Sequence, residues 1–269
     1  MRVDVDEPAA RAALTALDHG ADQVDLEPVL DARITVVHDH GGYVVTDGGD
    51  ELARPATAAA VADEVHARVH RRAFEFAALQ GWVRVHGVLA TVGDRRVLVS
   101  GPSGSGKTTL ALGLLAEGRP VDGDESVIIR EGQVRAVPRR FHVKAGRVAV
   151  PSVAAAWLEA APPVGDAPGL RALDPRVAGL PWRTRVGPID DLVLLERTDG
   201  PSRAEDGSTP LALERLRREV FRTAESRATV VRQLAAALRG AHVHRLWSGP
   251  DGQAPAALIE KLGRGPRGE

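Results

Sequence analysis

A glycine-rich loop between an apolar strand and an apolar helix is the feature that most constrains how this chain of 269 residues folds. The loop reads GPSGSGKT and satisfies the pattern G-x-x-x-x-G-K-[ST], in which glycines let successive backbone N–H groups turn inward toward phosphate oxygens. The strand VLVS precedes it and the helix TTLALGLLA follows it, and the helix N-terminus adds partial positive charge. We therefore expect an α/β fold that holds a nucleotide at these residues: Gly101, Pro102, Ser103, Gly104, Ser105, Gly106, Lys107, Thr108 and Thr109.

Two side chains of the loop have expected roles in phosphate chemistry. Lys107 can reach the β- and γ-phosphates, and the Thr108 hydroxyl can ligate Mg²⁺. The chain has 35 lysines and arginines together, yet lysine stands only at 107, 144 and 261. Because lysine is so scarce, its presence at the one position where the motif requires it supports a functional phosphate loop. We expect ATP and Mg²⁺ as the cofactors.

A second acidic site should lie beside the loop, to hold magnesium or to activate the acceptor. The stretch Asp122–Glu125 follows the loop helix closely and precedes the β-rich run Val127–Ile129, so the chain can return beside the nucleotide. A carboxylate near the γ-phosphate can accept the proton of an attacking hydroxyl. The acids at 190–191 precede their strand and Glu196 stands alone at its end, so we interpret these as structural residues.

The rest of the chain is assigned from periodicity, capping residues and turn residues. Residues 160–188, rich in proline, glycine and arginine, resist assignment. We expect a small N-terminal α+β region over 1–80, a core over 81–262 and a disordered tail over 263–269. The predicted helices are 7–18, 56–80, 108–116, 211–238 with a break near Ala224, and 255–262; the predicted strands are 33–38, 43–46, 83–91, 95–100, 127–129, 134–137, 191–196 and 242–247.

Basic and histidine residues outside the loop are weaker candidates. The stretch 130–150 is rich in arginine, and positive charge near a transferring phosphoryl group stabilises it or holds an acidic acceptor. Within it we favour Arg140 and Lys144. His66 and His70 are spaced i, i+4 on a predicted helix, but no third metal ligand is evident in the sequence nearby, so we interpret them as surface residues.

Composition excludes several classes of function. The chain has no cysteine, which rules out disulfides, thiolate catalysis and cysteine-bound zinc. The net charge is −1 and the few aromatic residues do not interleave with the basic stretch, so we expect no nucleic-acid partner. No apolar run approaches the length of a membrane helix, and the N-terminus MRVDVDEPAA lacks the apolar stretch of a secretory signal. We expect a cytoplasmic protein that does not bind a membrane.

The central motifs together resemble the HPr kinase/phosphorylase family and its bacterial HPr-kinase-related serine kinases. These motifs are His86-Gly87, the loop, and VDGDESVII, and the match covers about residues 80–150. The resemblance implies a P-loop kinase core of the type shared with ATP-dependent phosphoenolpyruvate carboxykinase. It also implies that Asp124 is the catalytic acid/base, that Glu125 is a magnesium ligand, that His86 lies near this pair, and that homo-oligomers form.

Two departures favour the shorter HPr-kinase-related branch over HPr kinase itself. Thr109 stands where an acidic residue is usual, and the glycine-rich second signature is missing. Some members of that branch modify precursor peptides of natural products. We therefore expect transfer of the γ-phosphoryl group to a hydroxyl, with a serine of a peptide or protein as the favoured acceptor. A non-catalytic nucleotide-dependent switch and a small-molecule kinase remain the alternatives.

Overall fold

The computed structural model describes residues 2–5, 8–10, 23–24, 33–144, 150–164, 168–221 and 226–263. It is a mixed α/β structure with several sheets, which confirms the predicted class at that level. Nearly all of the predicted helix 7–18 and of the tail 263–269 lies outside the described residues. No helix of the described part has both the length and the apolar character that crossing a bilayer would require.

The N-terminal part contributes a small sheet covered by one long helix. Its elements are β1 (Arg2–Val5), β2 (Gln23–Val24), β3 (Arg33–Asp39), β4 (Gly42–Asp47), β5 (Asp50–Ala53) and α1 (Ala58–Leu79). Strands β1, β3, β4 and β5 form the sheet, against which Val61 and Val65 of α1 pack. The buried carboxylate of Asp47 pairs with Arg68 at 2.7 Å and with Arg72 at 2.6 Å, which ties the helix to the sheet.

A seven-stranded sheet forms the centre of the molecule. In spatial order its strands are β14 (Arg203–Asp206), β15 (His242–Ser248), β13 (Asp191–Arg197), β7 (Arg95–Ser100), β6 (Val83–Val92), β8 (Val121–Arg130) and β9 (Gln133–Ala136). Strands β7, β13 and β15 are parallel, so their carboxyl ends meet at one edge of the sheet. Ligands of α/β sheets bind at such an edge. Strand β6 is antiparallel to both β7 and β8.

Helices cover both faces of this sheet. The remaining elements are α2 (Lys107–Ala116), β10 (Phe141–Lys144), α3 (Ser152–Ala160), β11 (Leu170–Leu173), β12 (Arg183–Thr184), α4 (Thr209–Arg218), α5 (Arg227–Ala237) and α6 (Ala254–Gly263). Side chains alternate along β6. Val88 and Ala90 belong to a core with α2, α3 and α6, whereas Val83 and Val85 belong to a core with α4 and α5. The first core lies on the same face as the glycine-rich loop.

Most predicted elements are present within a few residues of their expected ends. The long N-terminal helix begins at Ala58 because the side chain of Thr57 accepts a hydrogen bond from the N–H of Ala60, rather than at the position after Pro55. The predicted helix 211–238 is two helices, α4 and α5, and the predicted break at Ala224 lies outside the described residues. The unassigned stretch 160–188 contributes the end of α3, β11, a short 3-10 helix and β12.

The expected place of the acidic stretch is wrong in one respect. Asp122–Glu125 was expected directly before a strand, but it lies inside β8, which begins at Val121. Pairing with β6 explains this, because Asp124 lies opposite Val88 in a regular antiparallel register. Gly123 permits the close packing of β8 against the end of β9, since a Cβ at that position would lie 2.8 Å from the Cβ of Ala136.

Asp122 makes the stability of this fold depend on pH. Its carboxyl is 3% exposed, and burial raises its pKa to about 6 although Arg96 and Arg185 oppose the shift. The native state therefore binds more protons than the unfolded state between about pH 4 and 6, and stability falls as pH rises through that window. At 1.36 kcal/mol for each pKa unit, the loss approaches about 3 kcal/mol at most.

We predict that Asp122→Asn is more stable, relative to the unsubstituted protein, at pH 8 than at pH 5, because the amide is never ionised. Urea unfolding of both proteins at the two pH values measures this. Asp50→Asn, at an exposed position of β5, is the control and should show no such difference. An equal effect of Asp122→Asn at pH 5 and pH 8 would contradict the assignment.

Candidate active site

The glycine-rich loop connects the end of β7 to the start of α2. Gly104 and Gly106 have φ angles of 79° and 103°, in the left-handed region that favours glycine. Gly101 allows the loop to approach β13, because a Cβ there would lie 2.3 Å from the carbonyl oxygen of Leu195. Gly106 caps α2 without a side-chain hydrogen bond. The N–H groups of the first turn of α2 therefore face no capping side chain and are available to an anion.

Lys107 is hydrogen-bonded to the backbone of its own loop. Its ammonium donates to the carbonyl oxygens of Gly101 at 2.5 Å and Pro102 at 3.0 Å. Burial lowers the pKa of Lys107, and the charges of Glu219 and Asp124 oppose that shift. The N–H groups of this ammonium could also donate hydrogen bonds to phosphate oxygens in the loop. The structure thus puts the Lys107 side chain inside the loop.

Thr108 joins the loop to the acidic strand. Its hydroxyl donates to the carboxylate of Asp124 across 2.8 Å. Asp124 is 4% exposed, and burial raises its pKa, opposed by the Thr108 hydrogen bond and by the charges of Arg139 and Lys107. The carboxylate on the neighbouring strand and the last residue of the loop are thus in direct contact.

Glu125 has an unusual backbone conformation and a fixed charge partner. Its φ angle is +85°, which is rare for a residue other than glycine and is strained. Its carboxylate forms an ion pair with the buried guanidinium of Arg139. Arg139 also acts electrostatically on Asp124 and on His86, so it belongs to the cluster around the acidic pair.

The first residues of β6 form a shelf beside the loop. Strand β7 ends at Ser100, opposite Gly87, so residues 83–86 extend beyond it and pair with β8 on one side. On the other side, the chain after α4 takes the place of β7. The backbone N–H of His86 donates to the carbonyl oxygen of Glu219 at 2.8 Å, and the backbone N–H of Phe221 donates to the carbonyl oxygen of Arg84 at 3.0 Å. We call residues 83–86 the β6 shelf.

His86 lies on the β6 shelf and faces the loop side of the sheet, opposite Ser126 of β8. Its pKa is lowered to about 4, chiefly by burial and further by the positive charges of Lys107, Arg84 and Arg139. The imidazole is therefore neutral near pH 7. It can donate or accept a hydrogen bond there, but it does not add positive charge to the site.

Arg140 and Lys144 are not brought to this cluster. The guanidinium of Arg140 lies 3.7 Å from the carboxylate of Asp174, and Lys144 is exposed on β10. The arginine beside the acidic pair is Arg139, one position earlier in the chain. The sequence indicated the stretch 130–150 but favoured Arg140 over Arg139, because periodicity does not distinguish two adjacent arginines in a loop.

The histidines at 66 and 70 have a neighbour that the sequence did not indicate. Their rings lie 4.1 Å apart, and the ring of His142 on β10 lies 5.7 Å from that of His66. Among the described residues, no group of three or more His, Cys, Asp or Glu side chains is arranged to hold a metal ion.

The acidic residues of β13 have structural contacts. The buried carboxylate of Asp191 accepts a hydrogen bond from Arg95, and Glu196 forms an ion pair with Arg245.

A cavity of about 360 Å³ lies next to the loop. Gly106 and Thr109 lie on the loop side of it, and residues at the carboxyl ends of β13 and β15, among them Arg197 and Ser248, line the other side. The volume falls in the range of small-molecule sites.

Comparison with solved structures gives distant similarity. No protein-family model and no curated protein matches the chain. Among solved structures, the chain is similar to the Hpr(Ser) kinase/phosphatase from Coxiella burnetii, with a TM-score of 0.32 and 16% sequence identity, over 67% of this chain and 93% of that chain. This is a distant structural relation, and the function has to be derived from the site itself.

The environment of His86 gives a direct test of the site geometry. We predict that its imidazole titrates near pH 4 in the ligand-free protein, measured by NMR of the ring protons. Lys107→Met removes one of the positive charges and should raise that midpoint. The ring signals of the exposed His242 are the control and should not respond to the substitution. A midpoint near 6.5 in both proteins would contradict the arrangement.

Proposed function

We propose that this protein is an ATP-dependent kinase that transfers the γ-phosphoryl group to a hydroxyl. The observation that carries the proposal is the contact between Thr108 and Asp124, 2.8 Å long, which joins a phosphate-binding loop to a buried carboxylate. A loop of this kind alone supports nucleotide binding. A carboxylate fixed at its end adds a group that can take a proton from an acceptor.

The loop and the cavity beside it would hold the nucleotide. Backbone N–H groups at the start of α2 lack a side-chain cap, and the buried hydroxyl of Ser105 has no hydrogen-bond partner among the described residues. Both features suit phosphate oxygens, which accept such hydrogen bonds. Lys107 would exchange the carbonyl groups of Gly101 and Pro102 for the phosphates.

The oxygen donors at the end of the loop fit a magnesium ion. Thr108 offers a hydroxyl and Glu125 offers a carboxylate, which are ligand types that Mg²⁺ prefers. The part of the chain that the structure describes holds no metal site of three His, Cys, Asp or Glu, which suits an ion that takes its other ligands from phosphates and water. Thr108 and Glu125 would hold the ion, which would supply positive charge to offset that of the phosphates.

Asp124 is the proposed general base. In the reaction, the acceptor hydroxyl gives its proton to the carboxylate, its oxygen forms a bond to the γ-phosphorus, and the bond from that phosphorus to the β-phosphate oxygen breaks, so ADP leaves. Burial makes this carboxylate more basic than an exposed one, since it raises the pKa of Asp124. Lys107 and Arg139 supply positive charge for the transition state.

Serine of a peptide or protein is the proposed acceptor, on the strength of the motif resemblance described above. Action in the cytoplasm, expected from the composition, and assembly into a homo-oligomer, implied by the same resemblance, are further proposals.

We predict that Lys107→Ala and Asp124→Asn each reduce phosphoryl transfer at least about a hundredfold, the usual contribution of a positioned catalytic group. Purified protein, Mg²⁺ and ATP are incubated with serine peptides and with a metabolite pool, and products about 80 Da heavier, the mass of one phosphoryl group, are found by mass spectrometry. Asp124→Asn should still bind nucleotide, because the loop is intact. Asp50→Asn is the control that should keep full activity.

The outcomes separate the candidate functions. A phosphorylated peptide that disappears in both variants supports the proposal. A phosphorylated metabolite in its place moves the protein to the small-molecule kinases. Nucleotide binding without any product favours a regulatory switch, and full transfer by Asp124→Asn would contradict the role of Asp124.

A further inference from the structure

Arg84 on the β6 shelf is held rigidly between two aromatic rings. Its guanidinium carbon lies 3.4 Å from the centre of the Phe74 ring and 3.6 Å from the centre of the Phe221 ring. Phe74 belongs to α1, and Phe221 follows α4. Because a ring covers each face, the plane of the guanidinium is fixed and only its edges can form hydrogen bonds.

Only part of that edge is used. The Nε and Nη2 atoms of Arg84 donate to the hydroxyl of Ser126 at 3.0 and 2.7 Å. A guanidinium carries five N–H bonds, so three remain without an acceptor in the part of the chain that the structure describes. A planar edge with free donors matches a carboxylate or a phosphate group.

The charge of Arg84 is also unbalanced. Within the described residues, no carboxylate pairs with it, and the charge that acts on it most is that of Arg139, which has the same sign. Burial and Arg139 together lower the pKa of Arg84 to about 9. A half-buried cation without a carboxylate partner is costly, so the site gains stability when an anion binds.

The position of Arg84 separates it from the phosphates. Arg84 and His86 lie two residues apart on one face of β6, about 7 Å along the strand at 3.3–3.4 Å for each residue. Strand β7 ends at Ser100, opposite Gly87, just before the loop; Arg84 lies three residues from Gly87 whereas His86 is adjacent to it, so Arg84 lies farther from the loop. Its anion therefore comes from the acceptor side of the site rather than from the nucleotide.

We infer that Arg84 binds an acidic group of the acceptor, so that the substrate is a peptide segment carrying an aspartate, a glutamate or a phosphorylated side chain within two residues of the hydroxyl that is phosphorylated. This inference rests on the proposed kinase function and specifies its substrate class. The spacing agrees with an extended peptide, whose residues advance about 3.3 Å each. Arg84 would thus be a specificity-determining residue rather than a group that acts on the reacting atoms.

The test uses a peptide library with one fixed serine and random neighbours, including phosphoserine in a separate pool. Immobilised full-length protein, loaded with Mg²⁺ and a non-hydrolysable ATP analogue, retains peptides that are then read by mass spectrometry. We expect acidic residues beside the serine to be enriched about tenfold, which one charge-assisted interaction provides. Comparison of the pools tells whether a carboxylate or a phosphate is preferred.

Substitutions assign the preference to Arg84. Arg84→Gln should lose the enrichment, and Arg84→Lys should keep part of it, because the charge remains but the planar edge is lost. Arg203→Gln is the matched control: this arginine also stacks on an aromatic ring, Trp247, but on the far edge strand of the sheet, and the enrichment should persist. Thermal unfolding of each variant shows that it is folded.

A parallel incubation with ATP separates this inference from the proposed function. Acidic enrichment that depends on Arg84 supports the inference, whether or not a peptide is phosphorylated. Enrichment without any transfer would contradict the kinase function alone. Transfer to peptides without an acidic preference, or a preference that survives in Arg84→Gln, would overturn the inference.

Discussion

The hydrogen bond between Thr108 and Asp124 connects the two halves of this site, and the central sheet is arranged so that it can form. β6 lies between β7, which leads into the loop, and β8, which carries the carboxylate. Gly87 permits this packing, because a Cβ there would lie 2.8 Å from the carbonyl oxygen of Val99. Gly87 thus lets β6 lie close to β7, and Thr108 at the start of α2 contacts Asp124 on β8, the next strand but one from β7.

Charges around this bond are balanced by internal contacts that a ligand would replace. Lys107 donates to carbonyl groups of its own loop, and Glu125 pairs with Arg139. In this cluster, Arg84 pairs with no carboxylate of the described residues and uses two of its N–H groups, both to Ser126. The charged groups on the phosphate side of the site are therefore paired internally, whereas the charge of Arg84 is not balanced by a carboxylate of the described residues.

Local sequence signals predicted the parts of the site that lie on single elements. The loop, its flanking strand and helix, and the acidic stretch Asp122–Glu125 follow from spacing and composition, whereas Asp124 was singled out within that stretch by the resemblance to the HPr-kinase-related proteins. Residue alternation along β6 and β8 would also have indicated Arg84 and Ser126, each two positions from a predicted site residue. Nothing in the local sequence indicated that Glu219 and Phe221 contact the β6 shelf. These contacts form because a segment more than a hundred residues away in the chain pairs with β6 beyond the point where β7 ends. Arg139 replaced Arg140 for a similar reason, because tertiary contacts rather than sequence decide which of two adjacent arginines faces Glu125.

The central claim is that nucleotide phosphates bind at this loop beside Asp124. A crystal structure of the protein with Mg²⁺ and a non-hydrolysable ATP analogue tests it most directly. The account predicts phosphate oxygens at the N–H groups that begin α2, Lys107 moved from the carbonyl of Gly101 to the phosphates, and the γ-phosphate on the side of Asp124. A nucleotide bound elsewhere, or Lys107 still donating to Gly101 and Pro102 with the nucleotide present, would contradict it.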